Sequence, residues 1–157
     1  MQRDAAGVLT TWVKEFNAGN VDAIAGLYSS DATLFGTISP ALTTHPEDVR
    51  AYFAAVAKSR MQVKLLDGPT VTSIADAAVV LSGIYEFSGP RPDGQSFVMP
   101  ARYSFVVANM DDRWRIVHQH SSRSQNRSEM TQLQAAGRGR IGGLALSAST
   151  WKPATRL

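Results

Sequence analysis

Not one of the 157 residues is cysteine, which excludes disulfide bridges, thiolate metal sites and cysteine nucleophiles. Long apolar runs are missing as well. No stretch approaches the roughly 18 uninterrupted apolar residues of a membrane-spanning helix. The N-terminal MQRDAAGVLTTWVKEF lacks the compact apolar centre of a signal peptide. A soluble, cytoplasmic protein with no membrane partner is the expectation. Histidine occurs three times, and no H-E-x-x-H pattern joins any of the three, so neither a metal nor a cofactor is expected. Dense basic blocks are absent too. Residues 1–121 hold 10 Lys+Arg against 12 Asp+Glu and residues 122–157 hold 6 against 1, which together make the net +3. The basic tail has little aromatic interleaving, and this argues against a nucleic-acid partner.

What is present suits one folded domain. At 44% hydrophobic and 18% charged residues, the chain has enough apolar surface to bury a core. Val8, Trp12, Val13 and Phe16 recur at helical spacing and predict a helix over residues 4–18, stopped by Gly19-Asn20. A second short helix is predicted over 21–28, a short strand over 32–35, and a loop or irregular strand over 36–44. Thr43 and Thr44 then offer a hydroxyl cap ahead of Pro46 and Glu47, predicting a third helix that runs to residue 59. Extended segments follow over 61–74, 77–88, 95–110 and 113–122, separated by turn residues.

Helices first and an antiparallel meander second predict an α+β fold, with three N-terminal helices packed on the concave face of a cone-like curved sheet. On the segment 77–88 one face carries Val79, Leu81, Tyr85 and Phe87, and the other carries Ala78, Val80 and Ile84. Since both faces are largely apolar, the outer one is expected to be covered by another copy of the chain, giving a dimer or higher homo-oligomer.

The final strands carry a resemblance. Ala101-Arg102-Tyr103-Ser104-Phe105-Val106-Val107 and Asp112-Arg113-Trp114-Arg115-Ile116-Val117-His118-Gln119-His120-Ser121-Ser122 resemble the paired last strands of the calcium/calmodulin-dependent protein kinase II association domain, within the nuclear transport factor 2-like (SnoaL-like) superfamily. Asp112-Arg113 stands where an Asp-Gly turn is usual. Weaker similarity runs through Asn20-Val21-Asp22, residues 31–35 and residues 49–53, so the resemblance covers roughly 5–122. It divides the chain into a cone domain over 1–122 and a basic, Gly-containing extension over 123–157. It implies a pocket between helices and sheet, in a superfamily that includes isomerases, cyclases, dehydratases and structural hubs. The association domain itself oligomerises kinases and can hold a small carboxylate with arginines.

Arg102 matches one of those arginines and sits among apolar neighbours, where a guanidinium needs an acceptor. The positions matching the other two are Gly83 and Ser121, so a three-arginine cage is not expected. Ser121, Gln119, Ser104, Tyr85 and Phe53 complete the expected ligand-binding set, with Ile24, Leu27, Val49, Leu81 and Val106 as apolar wall. Strand alternation groups Trp114, Ile116, His118 and His120 on one face, opposite Arg115, Val117, Gln119 and Ser121, unless a bulge shifts the register. If Ser121 lines the pocket, His118 and His120 face the subunit interface. They remain weak catalytic candidates for an enzyme of the cyclase, isomerase or dehydratase kind. The main expectation is a homo-oligomeric domain binding a small, mostly apolar ligand with an acidic or polar end. A ligand-free oligomerisation hub is the other alternative.

Overall fold

The computed structural model describes residues 2–124. The element order is α1 (Gln2–Ala18), α2 (Val21–Ala25), β1 (Tyr28–Phe35), α3 (Pro46–Lys58), β2 (Gln62–Leu65), β3 (Thr70–Ala75), β4 (Ala78–Pro90), β5 (Ser96–Met110) and β6 (Arg113–Arg123). This is a mixed α+β fold with a six-stranded curved sheet. The order across the sheet is β1-β6-β5-β4-β2, and β3 pairs with β4 beside β2. Strand β1 runs parallel to β6, whereas β5 is antiparallel to both β4 and β6.

Local chemistry explains most boundaries. Gly19 ends α1 with φ +65°, a conformation that costs glycine little. Asn20 then caps α2, its Oδ1 accepting the Ala23 N–H at 3.3 Å. Helix α2 stops at Ala25, and Tyr28 opens β1 rather than ending the helix. The cap of α3 is His45, which makes no side-chain cap bond, and the helix starts on Pro46. Thr43 is occupied elsewhere: its backbone exchanges both hydrogen bonds with Leu34 at 2.9 Å. The expected strand over 61–74 is two strands. Lys64 and Leu65 of β2 pair with Glu86 and Tyr85, the Leu66 N–H still donates to the Ile84 carbonyl at 3.1 Å, Thr70 of β3 pairs with Ser82, and residues 67–69 link the two strands. Asp111 and Asp112, at φ +51° and +59°, form a two-residue turn linking the Met110–Arg113 pair. Both residues adopt positive φ, the geometry that suits the twist of a hairpin.

The core lies between the helices and one sheet face. Helix α1 buries Ala5, Val8, Leu9, Trp12 and Phe16, and α3 buries Val49, Phe53 and Val56. The facing strands supply Val79, Leu81, Tyr85 and Phe87 from β4, and Ala101, Tyr103, Phe105 and Val107 from β5. Trp12 is the hub of this packing. Its ring stacks 6.0 Å from Tyr85 and meets Phe105 edge-on at 5.4 Å and Phe53 at 6.1 Å. Truncating a ring of this kind typically costs about 3–5 kcal/mol. Among the described residues, no helix is long and apolar enough to cross a membrane.

Candidate functional site

The register of β5 decides which side chains enter the interior. Gly83 pairs with Tyr103, and Ile84 pairs with Arg102. Alternation therefore sends Ala101, Tyr103, Phe105 and Val107 inward and Arg102, Ser104 and Val106 outward. The structure thus corrects the expectation that Arg102, Ser104 and Val106 line the interior. Arg102 is exposed on the outer face. The cause is volume and polarity: Tyr103 and Phe105 bury far more apolar surface than the alternate set of Arg102, Ser104 and Val106 could. Gly83 serves this arrangement, because a Cβ there would fall 2.5 Å from the Tyr103 hydroxyl.

Strand β6 contains the bulge on which its parity depends. Val106 pairs with His118 but Val107 pairs with Ile116, leaving Val117 as an extra residue. Ile116 therefore joins Gln119 and Ser121 on the buried face, so the unbroken alternation of residues 114–121 is corrected. His118 and His120 point the other way, His120 exposed and 5.6 Å from the Phe35 ring. His118 Nδ1 lies 2.7 Å from the Thr33 hydroxyl. Burial holds the His118 imidazole below its ordinary pKa, and neighbouring His120 pushes in the same direction.

Two buried polar chains run through the interior. In the first, Trp12 Nε1–H donates to the Tyr28 hydroxyl at 2.9 Å, and that hydroxyl donates to Gln119 Oε1. In the second, the Tyr85 hydroxyl donates to Ser121 Oγ, which also bonds the Thr37 hydroxyl. Burial raises the pKa of the Tyr28 and Tyr85 phenols, which stay neutral donors. The Tyr52 phenol is pushed up to about 12, also by burial. Trp12, Tyr28 and Thr37 belong to these chains although the sequence reading did not select them. The signal for Trp12 was available, since a buried indole N–H must find an acceptor. Thr37 lies in a loop, where no periodicity points to it. Tyr103 is the exception: its hydroxyl is buried with no hydrogen-bond partner among the described residues.

The expected site residues therefore divide. Tyr85, Phe53, Gln119 and Ser121 lie inside, packed among the rings of Trp12, Tyr28 and Phe105. Arg102, Ser104 and His120 meet on the outer face with Ser122, lining a shallow cleft of about 150 Å³. A larger open cleft of about 430 Å³ lies at the other end of β6, between Tyr28, Pro46, Met110 and Arg115. Among the described residues, no three His, Asp or Glu side chains gather as a metal site. Residues 125–157 of the expected extension lie outside the described ones.

The family model of the calcium/calmodulin dependent protein kinase II association domain matches residues 1–125. The chain belongs to this association domain family. A crystallised protein from Xanthomonas campestris named for the same association domain is 28% identical, with a TM-score of 0.73 over 79% of this chain and 88% of its own. The association domain of the C. elegans kinase is 22% identical, with a TM-score of 0.64 over 76% and 93% of the two chains. A ketosteroid isomerase-like protein from Erwinia carotovora atroseptica shares the fold at 12% identity and a TM-score of 0.68, covering 80% and 97%. No curated protein matches the chain by sequence. The fold is thus shared with proteins named as association domains and with one named as ketosteroid isomerase-like.

Proposed function

We propose that this association domain assembles with copies of itself through the outer face of its sheet. One observation carries the reading: with Trp12, Phe16 and Phe53 packed on the inner face, the outer face still presents Ile84 at 41% exposure and Val98 at 61%. Phe35, on β1 beyond His120, is a third exposed apolar residue of the sheet at 39%. Large apolar side chains left exposed on a sheet face whose other side is packed suit an interaction surface, and the family is named for association. Ile84→Asp places a carboxylate on this outer face, opposite Arg102, without touching the core. The expected result is a smaller mass by light scattering with an unchanged circular dichroism spectrum. A wild-type protein of monomer mass, or a variant of wild-type mass, would refute the reading.

A small ligand with a polar end, held in the interior, is the second reading, and Tyr103 favours it. A buried hydroxyl without a partner is costly, and a ligand oxygen reaching it would remove that cost. Such a ligand must part the rings around Tyr85, so its binding would be coupled to core motion. The Tyr103→Phe comparison argued below tests it.

A further inference from the structure

Two histidines stand together on the outer face of the sheet. Register sets His118 in one row with Thr33, Val106 and Val80, and His120 in the next with Phe35, Ser104 and Ser82. Cross-strand partners share a face, so both imidazoles point to the side on which Ile84 and Val98 are exposed. His118 Nδ1 meets the Thr33 hydroxyl, a neutral partner, at 2.7 Å. Neither imidazole has an ion-pair partner among the described residues. The charged groups of the surrounding strands are engaged elsewhere or carry the wrong sign to offset a second cation. On β1, Asp31 accepts from Ser29 Oγ at 2.8 Å. On β4, Glu86 is held by Lys64 of β2 at 2.8 Å. On β6, beyond the bulge, Arg115 donates to the Gly26 carbonyl at 2.8 Å. On β5, Arg102 occupies the row beyond His120, opposite Ser122.

We propose that His118 and His120 make self-association through this face pH-dependent, the neutral imidazoles permitting it and the protonated ones opposing it. The inference rests on the reading that the outer face is the association surface. A closed contact between identical faces is two-fold, with the same patch on both sides, so each contact gathers both histidines of both copies. Covering the face takes the rings out of water, which disfavours their charged form. The companion ring and Arg102, charged at every relevant pH, add like charge, and no unengaged carboxylate offsets it. Burial within the single chain already holds His118 below its ordinary value, with His120 adding to the shift. A covering copy extends the same desolvation. The associated state therefore binds fewer protons than the separate chains. Association is strongest above the ordinary histidine range, near about pH 6.5, and is lost as pH falls through it. Each histidine that gives up its proton steepens the apparent dissociation constant by up to about tenfold per pH unit. His45, the third histidine, precedes α3 and lies outside the sheet.

The test follows the mass of the full chain by light scattering from about pH 8 to about pH 5 at constant ionic strength, with circular dichroism alongside. The expected result is a multimeric mass at the upper end, a reversible fall towards monomer through the histidine range, and an unchanged spectrum. His118→Asn combined with His120→Gln should keep the multimeric mass to the lower end, and His45→Asn should lose it where the wild type does. A wild-type mass that stays multimeric throughout overturns the pH dependence and leaves association standing, whereas a monomer at about pH 8 overturns both. A mass that falls only together with the spectrum is acid unfolding and counts against the proposal, as does a double variant that dissociates at the wild-type pH. A second measurement does not depend on the variants. Imidazole titrations followed by NMR at a high and a low protein concentration should give lower pKa values for His118 and His120 at the high one, and equal values would overturn the proposal.

Discussion

Tyr85 and Tyr103 show how the same phenol chemistry has opposite consequences depending on its partner. Tyr85 and Tyr103 stack 4.8 Å apart, yet the Tyr85 hydroxyl is satisfied by Ser121 and the Tyr103 hydroxyl is not. Ser121→Ala removes the acceptor of Tyr85 and the partner of Thr37 inside the core, with an expected loss of about 1–3 kcal/mol in urea unfolding. Tyr103→Phe removes only an unpaired group, and its expected effect is neutral to about 1 kcal/mol stabilising on the same scale. A clear destabilisation by Tyr103→Phe would mean that the hydroxyl is already partnered in solution, and would remove the observation on which the interior-ligand reading rests. Of the residues that matter here, those in apolar periodic segments were legible: Trp12, Phe16, Phe53 and Tyr85 announce themselves by spacing. Arg102 was legible as unusual but not as outward-facing. That depends on which of two alternating sets, one with Tyr103 and Phe105 and one with Arg102 and Val106, the neighbouring strand accepts.

At the scale of the element, β6 is the instructive case. Its extra residue, Val117, allows Ile116 and Gln119, three apart, to share the buried face. Deleting Val117 restores simple alternation and leaves Ile116 and Gln119 inward and His118 outward. Such a deletion is expected to keep a cooperative thermal transition, because no side chain changes face. Deleting His120 instead turns Ser121 outward and carries its hydroxyl away from Tyr85. Finding the Val117 deletion unfolded and the His120 deletion cooperative would show that the register assigned to β6 is wrong. Helix boundaries were readable to within a few residues because Gly19, Asn20 and Pro46 carry local stop and start chemistry. The break between β2 and β3 follows from how β4 is shared between them, although Asp67-Gly68-Pro69 is a turn-like sequence.

For the molecule as a whole, association should appear in stability as well as in mass. A partner that binds only the folded state stabilises it by mass action, so the thermal midpoint should rise with protein concentration. Stable interfaces typically bury about 800 Å² per partner, and a sheet face with Ile84, Val98 and Phe35 can supply the apolar centre of such a contact. The wild-type midpoint is expected to fall on roughly hundredfold dilution and that of Ile84→Asp to stay level. An equal midpoint at both wild-type concentrations would remove the stability argument for assembly.

Composition and pattern were sufficient for the class of fold, the three helices, the strands other than the divided segment 61–74, and the family. Apolar periodicity is local, and the last two strands retain a recognisable residue pattern. The faces of β5 and β6 were another matter. A one-residue difference in register, or one bulged valine, exchanges the inner and outer sets, and the energy that selects between them comes from packing against Trp12, Tyr85 and their neighbours. Those contacts join residues 12, 85, 105 and 119, distant in sequence, so only the assembled core places Ser121 beside Tyr85 and Arg102 on the outer face.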